Sequence, residues 1–326
     1  MSDSLRGTIY GSAAAAIWGG LYVVSDVVLR TIPPFTLLTI RLIMGALVLA
    51  PFVIRQRPHL TRRQIVQMIA VGFLGFGISV GAQFVGTDKA SAVNGTLVTS
   101  SSPAFILLFA ALILRERLTT QRIAAVALAT LGVLVIIDPA KANFGSTTFV
   151  GNLVLAVAAF TWGLYSVLVR KVSGQIDTLV ITLLAFLGGL ILTIPASALE
   201  LPQRPIGQIT PGIILGVLYL GVISTAGAMW LWNRAFALVD ASAASLCFFA
   251  QPLVGTLLSV LLLNEQMTPA LWIGSILIAA GLLLSIYRFE RKNLTQRPSD
   301  EFNEMTNVTN NETRDQSSGE SGNLAV

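Results

Sequence analysis

Only 11% of the 326 residues are charged, against 54% hydrophobic. A soluble domain carries roughly a quarter charged residues. A chain this poor in charge cannot cover a globular core, so an ordinary soluble fold is excluded. Cysteine is down to a single residue, Cys247, inside an apolar run; neither a disulfide framework nor a thiolate metal site can be built from it. Histidine is also single, His59, and sits in a basic loop, where it reads as a solvated residue rather than a ligand or base. The formal net charge of +5 forms no single patch or aromatic-interleaved stripe, which argues against a nucleic-acid partner. An intramembrane enzyme would need a nucleophile beside a base, a carboxylate pair or metal ligands within apolar segments. The apolar segments offer none of these, so no catalytic residue, metal or cofactor is expected.

Long apolar runs are what the sequence has instead. A helix crossing the hydrocarbon core takes about 20 mostly apolar residues. By that measure spans are expected near 8–29, 34–54, 65–85, 92–114, 121–138, 149–169, 178–199, 211–232, 240–263 and 270–288. Prolines 33, 34, 58, 139, 202, 205 and 269 punctuate the turns. Helices must do the spanning, because in lipid every backbone polar group needs an internal partner. The expected fold class is an all-α integral membrane protein with ten transmembrane helices. Arg6 followed by the alanines at 13–16 has the look of a signal peptide, but the apolar stretch runs on to about Leu29. It reads as a first span that stays in place.

Charge sets the expected orientation. With the N-terminus in the cytoplasm, 16 of the 21 basic residues fall on inner segments and four on outer ones: Arg30, Lys89, Lys141 and Arg204. Arg41 falls inside a span. The positive-inside rule favours this arrangement, which places both termini in the cytoplasm of a cell (inner) membrane. After Arg297 the composition turns to Asn, Thr, Ser, Glu, Asp and Gly, the signature of a disordered tail.

One stretch occurs twice. SPAFILLFAALILRERLT begins at Ser102 and QPLVGTLLSVLLLNEQMT at Gln251, so that Pro103 and Pro252, Glu116 and Glu265, and Thr119 and Thr268 all stand 149 residues apart. Gly72 and Gly221, and Gly132 and Gly281, keep the same offset. Gly7 and Trp18-Gly19 recur as Gly151 and Trp162-Gly163 at an offset of 144. The chain divides into a first five-helix repeat at 1–143, a second at 144–292 and the tail at 293–326. Five spans is an odd number, so the second copy must enter the membrane from the opposite side. This is the inverted-repeat plan of many secondary transporters, with a substrate site near the midplane between the halves. Inversion also accounts for the charges: RERLT is expected on the cytoplasmic face and NEQMT on the outer one, where arginine would oppose the topology.

The motifs AAIWGG and AFTWGLYSVLVRK open the two halves, and PAFILLFAALILRERLTTQRIAAVALATLGVLVI and WNRAFALVDASAASLCFFAQPLVGTLLSVLLLNEQMTPALWIGSILIAAGLLL close them. In these, over about residues 7–288, the chain resembles ten-span members of the EamA family in the drug/metabolite transporter superfamily. The resemblance implies a carrier, not an enzyme, that moves a small polar metabolite or amphipathic compound by alternating access. Its expected partners are that small molecule and the lipid bilayer; a monomer is compatible with the sequence. An amino acid or an aromatic, drug-like substrate is ranked first. A nucleotide-sugar or phosphosugar exchanger would favour basic residues in the cavity, and the second half has none within a span core. A channel or passive scaffold is the rival from another class.

The candidate site residues follow from polarity at depth. Trp18 and Tyr22 in the first span and Trp162 and Tyr165 in the sixth lie too far from the span ends for interfacial anchors, and are read either as helix packing or as aromatic walls for a substrate. Gln251 needs partners in a dry environment. Ser101, Gln83 and Asn94 are further polar candidates, and serines can also bond back to their own helix. Pro103 and Pro252 are expected to kink the fourth and ninth spans. Asp26 and Arg41 are the sharpest intramembrane charges, each costing about 2.5–3.5 kcal/mol if buried alone, and are read as a structural or gating pair, with Arg41 alternatively binding a substrate carboxylate. Glu116 and Glu265 oppose their helix dipoles and are read as turn residues. No acidic residue occupies the middle of a span, so gradient-driven facilitation is as compatible as proton antiport.

Overall fold

Prolines and short polar side chains start most of the helices. Pro34 and Pro211 stand in first turns, where a missing N–H costs nothing. Thr61, Ser91, Ser146, Asp177 and Thr210 each accept a hydrogen bond from a first-turn amide, satisfying donors that the helix cannot. Thr61 and Gln64 complete a reciprocal capping box. In a computed structural model, residues 3–117, 119–137, 146–263, 269–270, 272–277, 279–281 and 284 are described.

The elements are α1 (Asp3–Leu29), α2 (Pro34–Gln56), α3 (Arg62–Lys89), α4 (Ala92–Thr99), α5 (Ser102–Ile113), α6 (Thr120–Ile137), α7 (Thr147–Val172), α8 (Thr178–Glu200), α9 (Pro211–Leu238), α10 (Ala241–Ala244) and α11 (Ala250–Leu263). A 3₁₀ turn, Ser245–Phe249, joins the last two. Among the described residues no strand occurs. Among the described residues, seven helices are long and apolar enough to cross a membrane: α1, α2, α3, α7, α8, α9 and the stretch Asn94–Ile113. Shorter apolar helical stretches lie at Ile123–Gly132 and Trp272–Gly281. The outward faces carry Leu47, Ile54, Leu112, Leu199 and Leu215, each about two-thirds exposed or more, a surface that suits lipid and not water.

The helix boundaries repeat as the sequence does. Pro34–Gln56 and Thr178–Glu200 are both 23 residues long and 144 apart. Arg62–Lys89 and Pro211–Leu238 are both 28 residues long and 149 apart. Each of the latter pair contains a π-helical turn, Phe73–Ser79 and Tyr219–Gly227. The packing between the halves is reciprocal. Helix α1 packs on α11 and on the end of α9, while α7 packs on α5 and on the end of α3. Helix α2 meets the π turn of α9, α8 meets that of α3, and α2 and α8 meet each other. The two halves thus make equivalent contacts with one another. Residues 1–282 form one compact unit; of the second, 283–326, only Leu284 is described.

Small residues set the closest approaches. A Cβ added at Gly19 of α1 would stand 2.8 Å from the Gln251 carbonyl oxygen and the Gly255 nitrogen of α11. Its counterpart Gly163 on α7 lies equally tight against Phe105 of α5. Only glycine lets these backbones meet, as in other packed membrane helices.

Pro103 and Pro252, expected to kink their spans, each stand just after an interruption of the α-helical pattern. Ser100 and Ser101 form a turn, and Pro103 stands in the first turn of α5. Position 252 likewise falls in the first turn of α11, after the 3₁₀ segment. A ring without an N–H is tolerated at a helix start, so a new helix begins there. Glu265 and Thr268 lie outside the described residues.

Candidate functional site

The two helix breaks face a pocket between the halves. Trp18, Leu21 and Tyr22 of α1 line it, with Arg41 of α2, Ser79, Val80 and Gln83 of α3, and Thr99 and Ser102 at the first break. The second half contributes Ala158, Ala159 and Trp162 of α7, Met229 of α9, and Phe248 and Gln251 at the second break. Several of these are matched positions of the two repeats: Trp18 with Trp162 at the 144 offset, and Val80 with Met229, Thr99 with Phe248 and Ser102 with Gln251 at 149. The walls match in place but not in chemistry. The first half supplies most of the polar groups.

Three elements converge on Thr99. Its hydroxyl donates to the Gly95 carbonyl at 2.6 Å, which leaves its oxygen to accept. Tyr22 donates to it at 2.6 Å and Gln251 Nε2 at 3.1 Å. Gln83 and Gln251 both turn towards the Tyr22 hydroxyl. Burial in a dry site makes each of these bonds costly to lose. The serines of the first break bond back to their own chain: Ser100 to Thr96 O, Ser101 to Val98 O and Ser102 to Thr99 O, at 2.7–2.8 Å. They satisfy carbonyls that the break would otherwise orphan.

Aromatic rings make the other wall. Trp18 meets Trp162 edge to face, with centroids 5.5 Å apart, and Trp232 at 5.2 Å. Trp162 stacks at a tilt on Tyr165, which meets Phe76, which meets Phe186. Trp18 Nε1 donates to Ser224 O at 3.1 Å. Trp162 Nε1 is buried with no partner among the described residues.

Arg41 is the one cation in this wall, and it is 1% exposed. Its Nε donates to Leu220 O at 3.2 Å and to Thr225 Oγ1 at 3.0 Å. Both acceptors belong to the π turn of α9. A π turn is a common functional irregularity, and here its Leu220 carbonyl also takes the Thr225 hydroxyl at 2.6 Å. The guanidinium carbon stands 4.7 Å over the Phe84 ring. Nη1 has no hydrogen-bond partner among the described residues.

The profile of the EamA-like transporter family matches the chain twice, over residues 5–138 and 149–287. The chain belongs to the EamA-like transporter family. The two matches begin 144 residues apart and end 149 apart, the same two offsets at which the helices recur. Among curated relatives, the "Uncharacterized transporter YoaV" of Bacillus subtilis is 25% identical over 286 residues, 85% of this chain and 96% of its own. The "Probable amino-acid metabolite efflux pump" of Escherichia coli is 25% identical, covering 83% of this chain and 91% of its own; that of Salmonella typhimurium is 26% identical, covering 84% and 92%. A crystal structure superposes with a TM-score of 0.67 at 24% identity, over 87% of this chain and 98% of the other, which shows a shared fold. This EamA-family chain is thus a multi-pass membrane transporter.

Within the EamA fold, Trp18, Tyr22, Gln83, Trp162 and Gln251 come together around the cavity as lining residues. Tyr165 sits one layer behind, fully buried and sharing hydrogen bonds with Asn233. Ser101 does not line the cavity; its neighbour Ser102 does. Asn94 lies elsewhere, where its amide donates to Asn152 at 2.9 Å. The expected pairing of Asp26 with Arg41 is not formed. Asp26 binds Arg30 at 2.8 Å, four residues on and just past the end of α1, and Arg41 turns to the second half. An i,i+4 partner at the water-facing end is available without desolvation.

Sequence reasoning passed over several cavity residues. Leu21, Val80 and Met229 carry no signal of their own; Val80 and Met229 are mates of one another at the 149 offset. Trp232, at the end of the 211–232 span, is fully buried against Trp18 and Phe248.

Proposed function

We propose that the chain is a carrier for a small metabolite, an amino acid or an amphipathic aromatic compound, that works by alternating access through the cavity between two inverted five-helix repeats. The observation that carries this reading is the cavity's position: buried on the seam, with walls drawn from matched positions of both halves. A site on such a seam can be exposed to either side by rocking one half against the other. Aromatic rings, two glutamine amides and one arginine suit a substrate with an apolar body and a polar end. Positive charge in the expected inner loops favours a cell-membrane protein with both termini in the cytoplasm.

Purified protein in liposomes should show saturable flux of at least one member of an amino-acid and aromatic-metabolite panel. Flux that survives collapse of the pH gradient would identify facilitation; loss of flux would identify proton coupling. A panel that gives no protein-dependent flux would retire the carrier reading. A phosphatase reporter active only outside the cytoplasm, fused after Val326, should stay silent, and activity there would reverse the topology.

A further inference from the structure

The cavity holds an imbalance of hydrogen-bonding groups. Two buried donors that line it, Arg41 Nη1 and Trp162 Nε1, have no partner among the described residues. Neither side chain can accept a hydrogen bond. No acidic residue lines the space, and no carboxylate lies within 4.0 Å of Arg41 among the described residues. Leu220 O, Thr225 Oγ1 and the Phe84 ring bind the guanidinium through neutral dipoles and a π face. They fix its position and leave its charge uncompensated. A buried cation held this way is costly unless an anion joins it.

We infer that the missing partner is the substrate's carboxylate, with Arg41 as its anchor and the Trp162 indole as a second donor. This rests on the carrier reading and deepens it by naming the group that every good substrate must present. The guanidinium fork matches a carboxylate in geometry as well as charge. Trp18, Trp162 and Phe248 then receive the apolar remainder of the molecule, and the Gln83 and Gln251 amide oxygens can accept from an ammonium group where one is present. Because the Arg41 Nε is tied to the π turn of α9, an anion on the other face of the guanidinium bears on both halves at once. Neutral and purely cationic analogues lack the group that offsets the buried charge.

Acid and amide pairs test this: phenylacetate against phenylacetamide, L-phenylalanine against L-phenylalaninamide and acetate against acetamide. Each is added at matched ionic strength to the full chain in detergent, and the thermal midpoint is followed as a binding readout. At least one acid should raise the midpoint where its amide does not. Its apparent affinity should fall about tenfold to a hundredfold in Arg41→Gln, the range for a lost charge-assisted bond, less in Arg41→Lys, and by under tenfold in Trp162→Phe. Amides that match their acids, an acid preference that persists in Arg41→Gln, or no response to any pair would each overturn the inference. If Arg41→Gln fails to fold, the wild-type comparison and Arg41→Lys still decide. Flux in liposomes separates the two claims. Acids that bind without crossing would sink the carrier and leave the anchor, and amides that cross as fast as acids would do the reverse.

Discussion

Trp18 and Trp162 meet edge to face across the seam between the halves, with ring planes at 88°. They are counterparts in the two repeats, yet their indole N–H groups have opposite fates. Trp18 donates to Ser224 O of the second half; Trp162 donates to nothing among the described residues. The pair therefore offers a contrast within one contact.

Trp18→Phe should lower stability by about 1 kcal/mol, the net worth of one lost hydrogen bond, while leaving the Ser224 carbonyl short of a donor. Trp162→Phe removes an unpaired donor and should leave stability unchanged or slightly raised. The thermal midpoints of the two variants in detergent give the comparison. Equal losses would mean that ring size, not the N–H, governs both sites.

Gly19 sets the distance at which Gln251 stands from α1. A Cβ there would stand 2.8 Å from the Gln251 carbonyl, so Gly19→Val must push α11 outward and carry the Gln251 amide away from Thr99. Overpacking of this kind costs about 1–3 kcal/mol, and flux should fall even where the protein still folds. Gly174→Ala is the control, because a Cβ at Gly174 meets nothing within 4 Å. Full flux in Gly19→Val would show that this approach does not position the site.

How much of this was legible beforehand depended on whether the signal was local. Apolar length and punctuating prolines are local, and seven of the expected spans coincide with helices long and apolar enough to cross a membrane. The repeat was readable because glycine, tryptophan and proline hold fixed places that only they can fill, as at Gly19 and Gly163. Partnerships across the seam were not readable. Asp26 had two arginines in reach, and its choice of Arg30 is decided by solvent access at a helix end. Trp232 stands at the end of its expected span yet is fully buried, because sequence distance to a span end says nothing about which face of the helix is covered. The π turns, which supply Arg41 with its acceptors, leave no periodicity that a sequence of this composition displays.

Glu116 shows such a partnership at the end of the repeated stretch. A carboxylate at a helix C-terminus opposes the dipole of its own helix. Its Oε1 instead accepts from the backbone N–H of Ala241 at 3.1 Å, at the start of α10 in the other half. There the dipole favours it. Glu116→Ala should cost about 1 kcal/mol, as the loss of other N-terminal caps does, and Glu116→Gln, which keeps an accepting oxygen, should cost less. Hydrogen exchange at the Ala241 amide is the direct readout. Unchanged protection in Glu116→Ala would show that the contact does not hold that helix start.

Arg204 performs the corresponding service between the α8–α9 connection and the first half. It binds Asp88 at 2.6 Å and the Leu29 carbonyl, and three residues on Gly207 N donates to Thr31 O at 2.8 Å. Asp88 holds the Arg204 guanidinium above its ordinary value. The contribution of that cation is thus fully present below the arginine range and lost only as pH rises through the raised value, so between about pH 6 and 9 its charge does not vary. Arg204 is 41% exposed and Asp88 23%, so solvent screening keeps the pair below about 1 kcal/mol of stability. Its larger effect should be on access. In a Cys247→Ser background, Arg204→Ala should speed maleimide labelling of Ser102→Cys when the reagent is added from the Arg204 side, with a thermal midpoint close to that of the parent. Unchanged labelling would show that this contact does not close that end of the cavity.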